Sequence, residues 1–405
     1  MHLIKIQAPS YTLEDKQYKL NDFCEEFSEF QDPDDEFVFN GENGDSNVIR
    51  LFKDGQYYFK NRVAVCPSCH STKNVFNGNY ERKISFLTIG TRKCIVKTYK
   101  CKKCGKIFVT DLSSIVKPNS NITNRVRSKI KRHHAVYGST IRQIQYILKE
   151  EHDIDISYQT IENVLLEDEI CFEAENWSYS GYYLFDSLWV KIKGKWNYLL
   201  ALFDLELNTI ISFDLAESED IKTIYNFLNQ SLANQKKIAI TTDLKPEYGE
   251  VIDKLHMKHQ LCKFHSKQKI NRNIRNYIKE NNITIDEKEE IKEIKEFIFK
   301  LLNAELMDDA KKIRKELFKK KDKKHGLIYK LIWKFAIPYF RKLTYAIESG
   351  KIASTSNKIE NCFQKVFPKH IKRRMKSKKG ILKRFLLRLR YWDINNKKTK
   401  NPYNF

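Results

Sequence analysis

The chain has 405 residues, of which 41% are hydrophobic, and its formal net charge is +23. This length suits two or three domains, and the excess of Lys and Arg favours a polyanionic partner, because neutralised phosphates release counterions. The start MHLIKIQAPSY has no sustained apolar core, and no apolar run is long enough to span a bilayer. We therefore expect a soluble, cytoplasmic protein without a membrane partner, whose cysteines are reduced and available for metal.

Residues 1–60 are acidic, unlike the rest of the chain, and contain the run DPDDE at 32–36. We predict an N-terminal segment that is separate from the domains after it. Two interpretations stay open: a solubilising segment, or a mimic of nucleic acid that shields a basic groove.

Residues 61–112 are short β-type runs with two C-x2-C pairs. The pairs are Cys66 with Cys69 and Cys101 with Cys104. Four such thiolates can enclose one tetrahedral zinc ion, and Gly105 after the second pair suits a turn with positive φ. We predict a zinc ribbon, in which one structural zinc holds together a module too small to bury a core. Cys94 is interpreted as a packing residue, with a place among the ligands as the alternative.

Residues 121–170 are predicted to form a helix-turn-helix. Ser139 or Thr140 can cap the helix IRQIQYILKE, and Ser157 can cap YQTIENVLL after the short connection EHDIDI. The second helix of such a motif enters the major groove, and the alternative is a plain helical hairpin. The residues expected to reach bases or phosphates are Ser157, Tyr158, Gln159 and Asn163.

From residue 181 the pattern changes to strands. The runs YYLFDSLWVKI, WNYLLALFDLEL and TIISFDLAES are separated by turn residues and predict an antiparallel meander. A helix over 219–234, a buried strand KKIAITTD, a short helix PEYGEVIDKL and a last strand over 257–264 follow. This order predicts an α/β fold with a ribonuclease-H-like core, a mixed five-stranded sheet with helices, built from 180–265 and 352–395.

Residues 266–351, between these two parts, are rich in Lys and Glu at helical spacing and predict an all-α insertion. A coiled coil or helical hairpin without chemistry is the simplest interpretation. Basic segments around 263–275 and 369–390 flank the predicted core in sequence and suit phosphate contacts and base stacking. Within the second segment we single out Arg373 and Arg374 as DNA-binding residues.

Three acidic residues indicate the chemistry. Asp186 and Asp243 lie in strand-type runs, and Glu360 lies in a helix-like segment that STSN can cap. Carboxylates from separate elements can hold divalent cations that activate a nucleophile and stabilise a leaving oxygen. Asp214, at the end of the third strand, is the second choice for the first position, whereas Asp204 falls near a turn.

Four potential metal ligands recur every three residues: His256, His259, Cys262 and His265. If 257–264 is a strand, alternation sends these side chains to opposite faces. We therefore expect Cys262 and His265 to pack and hydrogen-bond beside the acidic site, and a second zinc site is the alternative.

With the three acids in this order, the Cys262-x2-His265 pair and the helical insertion, residues 181–395 resemble the DDE transposases. The resemblance is to the Mutator-like superfamily and its prokaryotic insertion-sequence relatives. It implies that Asp186, Asp243 and Glu360 are catalytic and bind two Mg²⁺ or Mn²⁺ ions, and that Asn357 lies near the site in an N-x-x-E pattern. It also implies a prokaryotic, nucleoid-associated protein, and a zinc ribbon followed by a helix-turn-helix is a common N-terminal arrangement in such enzymes.

Three functions compete. A transposase would bind terminal inverted repeats as a homo-oligomer and join them to double-stranded target DNA. A non-catalytic DNA-binding regulator would not need the acidic triad. A ribonuclease-H-like nuclease or resolvase would not need the predicted zinc ribbon and helix-turn-helix. We therefore expect a transposase.

Overall fold

The structure is a computed structural model that describes residues 4–5, 37–38, 48–53, 55–167, 178–319 and 326–398. Two compact units are present: the first draws its described residues from 1–10 and 169–389, and the second from 11–168 and 390–405. Most of the predicted acidic segment 1–60 lies outside the described residues. No helix in the described ranges is long and apolar enough to cross a membrane.

The strand β1 (Ile4–Lys5) joins the sheet of the first unit. The next six strands form the sheet of the second unit: β2 (Phe37–Val38), β3 (Val48–Lys53), β4 (Gln56–Asn61), β5 (Asn74–Phe86), β6 (Gly90–Cys101) and β7 (Ile107–Val109). β5 and β6 form a long antiparallel hairpin between the two cysteine pairs, and β4 pairs parallel with β6. The structure therefore differs from the predicted boundary at residue 60, since β3 and β4 belong to the cysteine-bearing sheet.

This sheet has a core of its own. Phe59, Ile84 and Cys94 are fully buried in it, and Leu112 and Val116 close it. The prediction of a module too small to bury a core is therefore wrong, because β3 and β4 supply apolar residues that the predicted range left out. Burial raises the pKa of the Cys94 thiol to about 12, as expected for a packing residue. Gly105 has the predicted positive φ, at 74°.

Three helices follow in the second unit: α1 (Asn124–Ala135), α2 (Ile141–His152) and α3 (Tyr158–Leu166). Thr140 forms a capping box with Gln143, and the Ser157 hydroxyl accepts from the Thr160 N–H. Both predicted caps are confirmed. α2 ends at Asp153 in the left-handed conformation, with φ 52°, which turns the chain into α3.

The sheet of the first unit continues with β8 (Tyr182–Ile192), β9 (Lys195–Asp204), β10 (Thr209–Ala216), β11 (Ala239–Thr242) and β12 (Lys258–Leu261). Its strand order is β1-β10-β9-β8-β11-β12. β8 to β10 form the predicted antiparallel meander, and β11 and β12 run parallel to β8. The mixed α/β architecture is consistent with the predicted core, but the sheet has six strands because Ile4–Lys5 adds to its edge.

One face of this sheet is covered by α4 (Ile221–Ser231) and α5 (Pro246–Lys254). Tyr183 and Phe185 of β8 pack there against Phe227 of α4 and Tyr248 of α5. These side chains are fully buried, and each aromatic residue removes roughly 150–250 Å² from water. The packing fixes β8, which contains Asp186, and the start of α5, which follows Asp243.

The described part of the insertion is helical, as predicted. It comprises α6 (Lys263–Glu280), α7 (Ile285–Asn303), α8 (Met307–Lys319), α9 (Gly326–Leu331), a π-helical turn Ile332–Ala336 and α10 (Phe340–Glu348), around a core of its own. The predicted strand over 257–264 is wrong in its second half, because β12 ends at Leu261. The buried positions Ser266, Ile270 and Ile274 recur every four residues, which makes this segment helical from Lys263 onward. The chain then continues with α11 (Asn357–Val366), α12 (Lys369–Lys372) and α13 (Lys378–Lys398).

The buried His259 should make the free energy of unfolding decrease at low pH. Its Nε2 lies 2.9 Å from Thr242 Oγ1, which donates to the Asp243 carbonyl, so Nε2 is the donor to Thr242. Burial, helped by the charge of Lys342, lowers the pKa of His259 to about 3. Because the unfolded chain binds this proton near pH 6.5 and the folded chain does not, stability is lost as the pH falls below 6.5.

We expect His259→Gln, whose Nε2 can also donate to Thr242, to remove this loss. Urea unfolding of the full chain at pH 7, 6, 5 and 4.5 measures it. The wild type should lose up to about 1.4 kcal/mol per pH unit relative to the variant. Equal pH dependence in the two proteins would contradict the assignment.

Candidate active site

Asp186 and Asp243 are brought together by the pairing of two parallel strands. Asp186 lies in β8, and Asp243 follows the last residue of β11. The register pairs Thr241 with Leu184, and two residues further along the chain it brings Asp243 level with Asp186. Adjacent strands are about 4.8 Å apart, and the charge of Asp243 contributes to the raised pKa of Asp186.

Glu360 follows the insertion in the sequence. It lies in the first turn of α11, which packs against β8. Two hydrogen bonds hold the loop before this helix: Thr241 Oγ1 donates to the Ala353 carbonyl at 2.7 Å, and the Lys263 N–H donates to the Ser354 carbonyl at 2.9 Å. The start of α11 is thereby tied to β11 and to the start of α6.

The electrostatics of these acids favour a bound cation. Desolvation raises the pKa of Asp186 to about 8, and the charges of Asp243 and Glu360 add to it, although the Ser187 N–H donates to its carboxylate at 2.8 Å. Burial also raises the pKa of Asp243, whose Oδ1 accepts from the Lys245 N–H at 3.0 Å. Because the charges of Asp243 and Glu360 oppose the ionisation of Asp186, a cation would stabilise the three carboxylates, and hard oxygen donors suit a divalent cation such as Mg²⁺.

Cys262 and His265 lie beside Glu360 rather than on opposite faces of a strand, because α6 begins between them. Ser356 Oγ lies 2.5 Å from Glu360 Oε1, 3.3 Å from Cys262 Sγ and 3.4 Å from His265 Nδ1. His265 Nδ1 is 3.8 Å from Glu360 Oε1. The hydrogen bond with Cys262 raises the pKa of His265 to about 9, and the neighbouring carboxylates contribute. These neighbours favour the protonated form of the His265 imidazole next to Glu360.

Sequence reasoning missed a second polar cluster at Asp243. Glu219 is only 9% exposed, and it accepts from Lys245 Nζ at 2.7 Å and from the Tyr248 hydroxyl. Its negative charge contributes to the raised pKa of Asp243. Lys245 and Tyr248 closely follow Asp243 in sequence and could have been suspected, whereas the burial of Glu219 arises only from tertiary packing.

A basic cleft of about 560 Å³ opens next to Asp243 along α6. Its lining on this helix comprises His265, Gln268, Lys269, Asn271, Arg272 and Arg275. Their spacing of three to four residues places them on one side of the helix. Arg272 and Arg275 are exposed, so the cleft presents cations of the kind that bind phosphates.

The remaining candidate residues of this unit occupy several positions. Asp204 is a turn residue, since it accepts from the N–H groups of Ser180, Glu206 and Leu207. Asp214 is buried on β10, two strands away from Asp186. Asn357 is the exposed first residue of α11, and Arg373 and Arg374 are exposed after α12.

The four cysteines of the second unit form a tight cluster. The Sγ atoms of Cys66 and Cys104 are 3.5 Å apart, as are those of Cys69 and Cys101, and all four lie within 4.8 Å of one another. Sulfur ligands at 2.3 Å from a tetrahedral zinc are about 3.8 Å apart, so the donor set and spacing fit zinc. Within the described ranges, the histidine series from His256 to His265 forms no such cluster.

α3 presents a polar face in the second unit. Tyr158, Gln159 and Asn163 are exposed, and Gln159 Nε2 donates to Asn163 Oδ1 at 2.9 Å. The opposite face is buried through Ile161, Val164 and Leu165. The hydroxyl of Ser157 is engaged as the helix cap, which leaves the other three side chains as candidates for contact with bases.

Comparison with known proteins shows which family the chain resembles. A family model of the DDE domain of IS240-type transposases matches residues 182–320. The chain is 30% identical over 389 residues to the insertion element ISM1 uncharacterized 48.3 kDa protein of Methanobrevibacter smithii, covering 95% of this chain and 96% of that protein. A chain of the cryo-EM structure of the simian T-cell lymphotropic virus intasome in complex with PP2A regulatory subunit B56 gamma is 12% identical. That match covers 39% of this chain and 64% of the other, at a TM-score of 0.19, and carries no conclusion. Because the similarity to the insertion-element protein spans nearly the whole chain and includes a DDE domain, the chain belongs to the DDE transposases of insertion elements.

Proposed function

We propose that this transposase binds the terminal inverted repeats of its own element, cuts the DNA there and joins the freed ends to double-stranded target DNA. The observation that supports the proposal is electrostatic: the charges of Asp243 and Glu360, on two other elements, help to raise the pKa of Asp186, and a cation-lined cleft opens next to Asp243. We propose a homo-oligomer, because transposition joins two ends. The zinc ribbon, the helix-turn-helix and membership of the Mutator-like superfamily belong to the same proposal.

The three carboxylates would hold two Mg²⁺ or Mn²⁺ ions, which supply Lewis-acid activation of the attacking oxygen and stabilisation of the leaving oxygen. The protein's own residues fix this constellation. Ser356 orients the Glu360 carboxylate, and the Lys245 N–H orients that of Asp243. Arg272 and Arg275 bind the phosphates of the incoming strand, and the His265 imidazolium can donate to an oxygen of the scissile phosphate. In the cutting step water attacks the scissile phosphodiester, whose P–O3′ bond breaks and leaves a 3′-hydroxyl. In the joining step this hydroxyl attacks a phosphodiester of the target, whose own P–O3′ bond breaks.

The triad is tested with Asp186→Asn, Asp243→Asn and Glu360→Gln, which keep the shape of each side chain and remove its charge. Cleavage of labelled DNA that carries the ends of the element should fall on the order of a thousandfold in each variant, because metal-ion stabilisation supplies several kcal/mol. Affinity for the same DNA in EDTA should not change. Glu348→Gln is the matched control, since Glu348 pairs with Lys258 on the surface of α10.

Two outcomes would contradict the proposal. Cleavage that survives in the three variants would exclude the triad. Specific binding by the wild type without cleavage in Mg²⁺ or Mn²⁺ would instead favour a DNA-binding regulator.

The zinc proposal predicts one zinc ion per chain of purified protein, measured by mass spectrometry of the metal content. Cys69→Ser and Cys101→Ser should each lose the ion and lower the melting temperature, because structural zinc contributes directly to folding free energy. Cys94→Ala removes a buried thiol outside the cluster and should retain the ion. Retention of zinc in the first two variants would place the metal elsewhere.

The cleft along α6 predicts the salt dependence of DNA binding. We expect Arg272→Gln/Arg275→Gln to reduce the slope of log Kd against log salt by roughly 2, about 0.9 for each lost phosphate contact. The control Lys311→Gln/Lys312→Gln makes the same charge change on α8, where both lysines face Asp308 and Asp309. Equal slopes for the two double variants would show that the cleft does not contact the DNA backbone.

A further inference from the structure

The β8–β9 hairpin exposes a pair of tryptophans. Trp189 is 53% exposed and Trp196 is 54% exposed. Their rings meet edge to face with centroids 5.8 Å apart, and Trp189 meets Tyr198 in the same way at 5.7 Å. Exposed apolar surface of this kind marks a binding site, because water is displaced from both indoles when a partner covers them.

This aromatic row leads to the loop that carries Asp243. Trp189 pairs with Tyr198 across the two strands, and Lys245 Nζ lies 5.9 Å from the Tyr198 ring. The same Lys245 donates its N–H to Asp243. Trp189 follows Asp186 by three residues, so it lies roughly 10 Å further along β8 and on the opposite face of the sheet. A polymer bound on the rings would therefore reach the acidic residues by passing around this loop.

The charges around the rings identify the chemistry of the partner. Lys191 Nζ lies 5.4 Å from the Trp196 ring, and Lys193 and Lys195 are exposed at the tip of the hairpin. The sequence from 187 to 203 contains three lysines and no acidic residue. A partner that is both planar and anionic fits exposed rings edged with lysines, and a single nucleic-acid strand has both properties.

We propose that Trp189 and Trp196 form a stacking platform for the unpaired bases of the DNA strand at the cut end, with the hairpin lysines on its phosphates. The identity of that strand rests on the proposed function, whereas its chemistry rests on the rings and the lysines. Stacking is sequence-tolerant, because every base has a π face. The platform would hold the 3′ end near the acids between cutting and joining.

The test uses the full-length protein in EDTA and a duplex with a short 3′ overhang in which one base is 2-aminopurine. Stacking on the platform should quench the fluorescence of this base. Trp189→Leu/Trp196→Leu should abolish quenching and weaken overhang binding by roughly tenfold or more, while binding of the blunt duplex stays unchanged. Trp189→Phe/Trp196→Phe should restore most of the quenching, and Tyr329→Leu/Tyr339→Leu is the control for loss of two exposed aromatic rings.

Quenching that persists in the Leu variant would overturn the platform, as would equal quenching in the Leu and Phe variants. A Leu variant that changes only the sedimentation of the protein would show that the rings contact a second copy of the chain, which also overturns it. The two proposals can be contradicted separately. Intact quenching without cleavage in Mg²⁺ would contradict the transposase function alone. Cleavage without quenching would contradict the stacking platform alone.

Discussion

The parallel pairing of β8 with β11 is the interaction on which the candidate site depends. It places Asp243 level with Asp186, and the buried aromatic residues beneath β8 keep the strand fixed. Folding thus holds two carboxylates in desolvated positions, where the charge of Asp243 opposes the ionisation of Asp186. Such an arrangement is unfavourable by itself and becomes favourable when a cation shares the negative charge, which agrees with a site built for metal-dependent chemistry.

The third acid depends on a different constraint. A long helical insertion separates β12 from α11, yet its two ends meet, because the Lys263 N–H donates to Ser354 and Thr241 donates to Ala353. The insertion has a core of its own, which Leu261 at the end of β12 joins. Ser356 then links the start of α11 to the start of α6 through Cys262 and Glu360. Cys262 and His265 therefore lie where the insertion leaves the sheet. Through Ser356 they also contact the segment by which the chain returns to it.

Local signals predicted much of this structure. Alternation in YYLFDSLWVKI and the turn residues after it predicted the meander, and Thr140 and Ser157 were recognisable as caps because capping acts within one helical turn. Features set by distant contacts were not predictable. The end of β12 at Leu261 depends on which residues of α6 face the insertion core, and Ile4–Lys5 gives no local sign of the sheet edge that it joins. Glu219 looks like a surface acid in sequence, and only packing against Lys245 and Tyr248 makes it part of the site.

The two faces of β8 have different tasks, and period-two alternation explains why one strand can serve both. α11 packs against β8, and the charge of its Glu360 helps to raise the pKa of Asp186. Phe185 and Trp189 face the other side of the sheet. Phe185 is buried under α4 and α5, whereas Trp189 is exposed. Because the covering helices end before the hairpin tip, the same apolar stripe that forms the core becomes a binding surface where the cover stops. Lys245 lies at the boundary, where its N–H contacts Asp243 and its side chain approaches the aromatic row, so the loop after β11 couples the two faces.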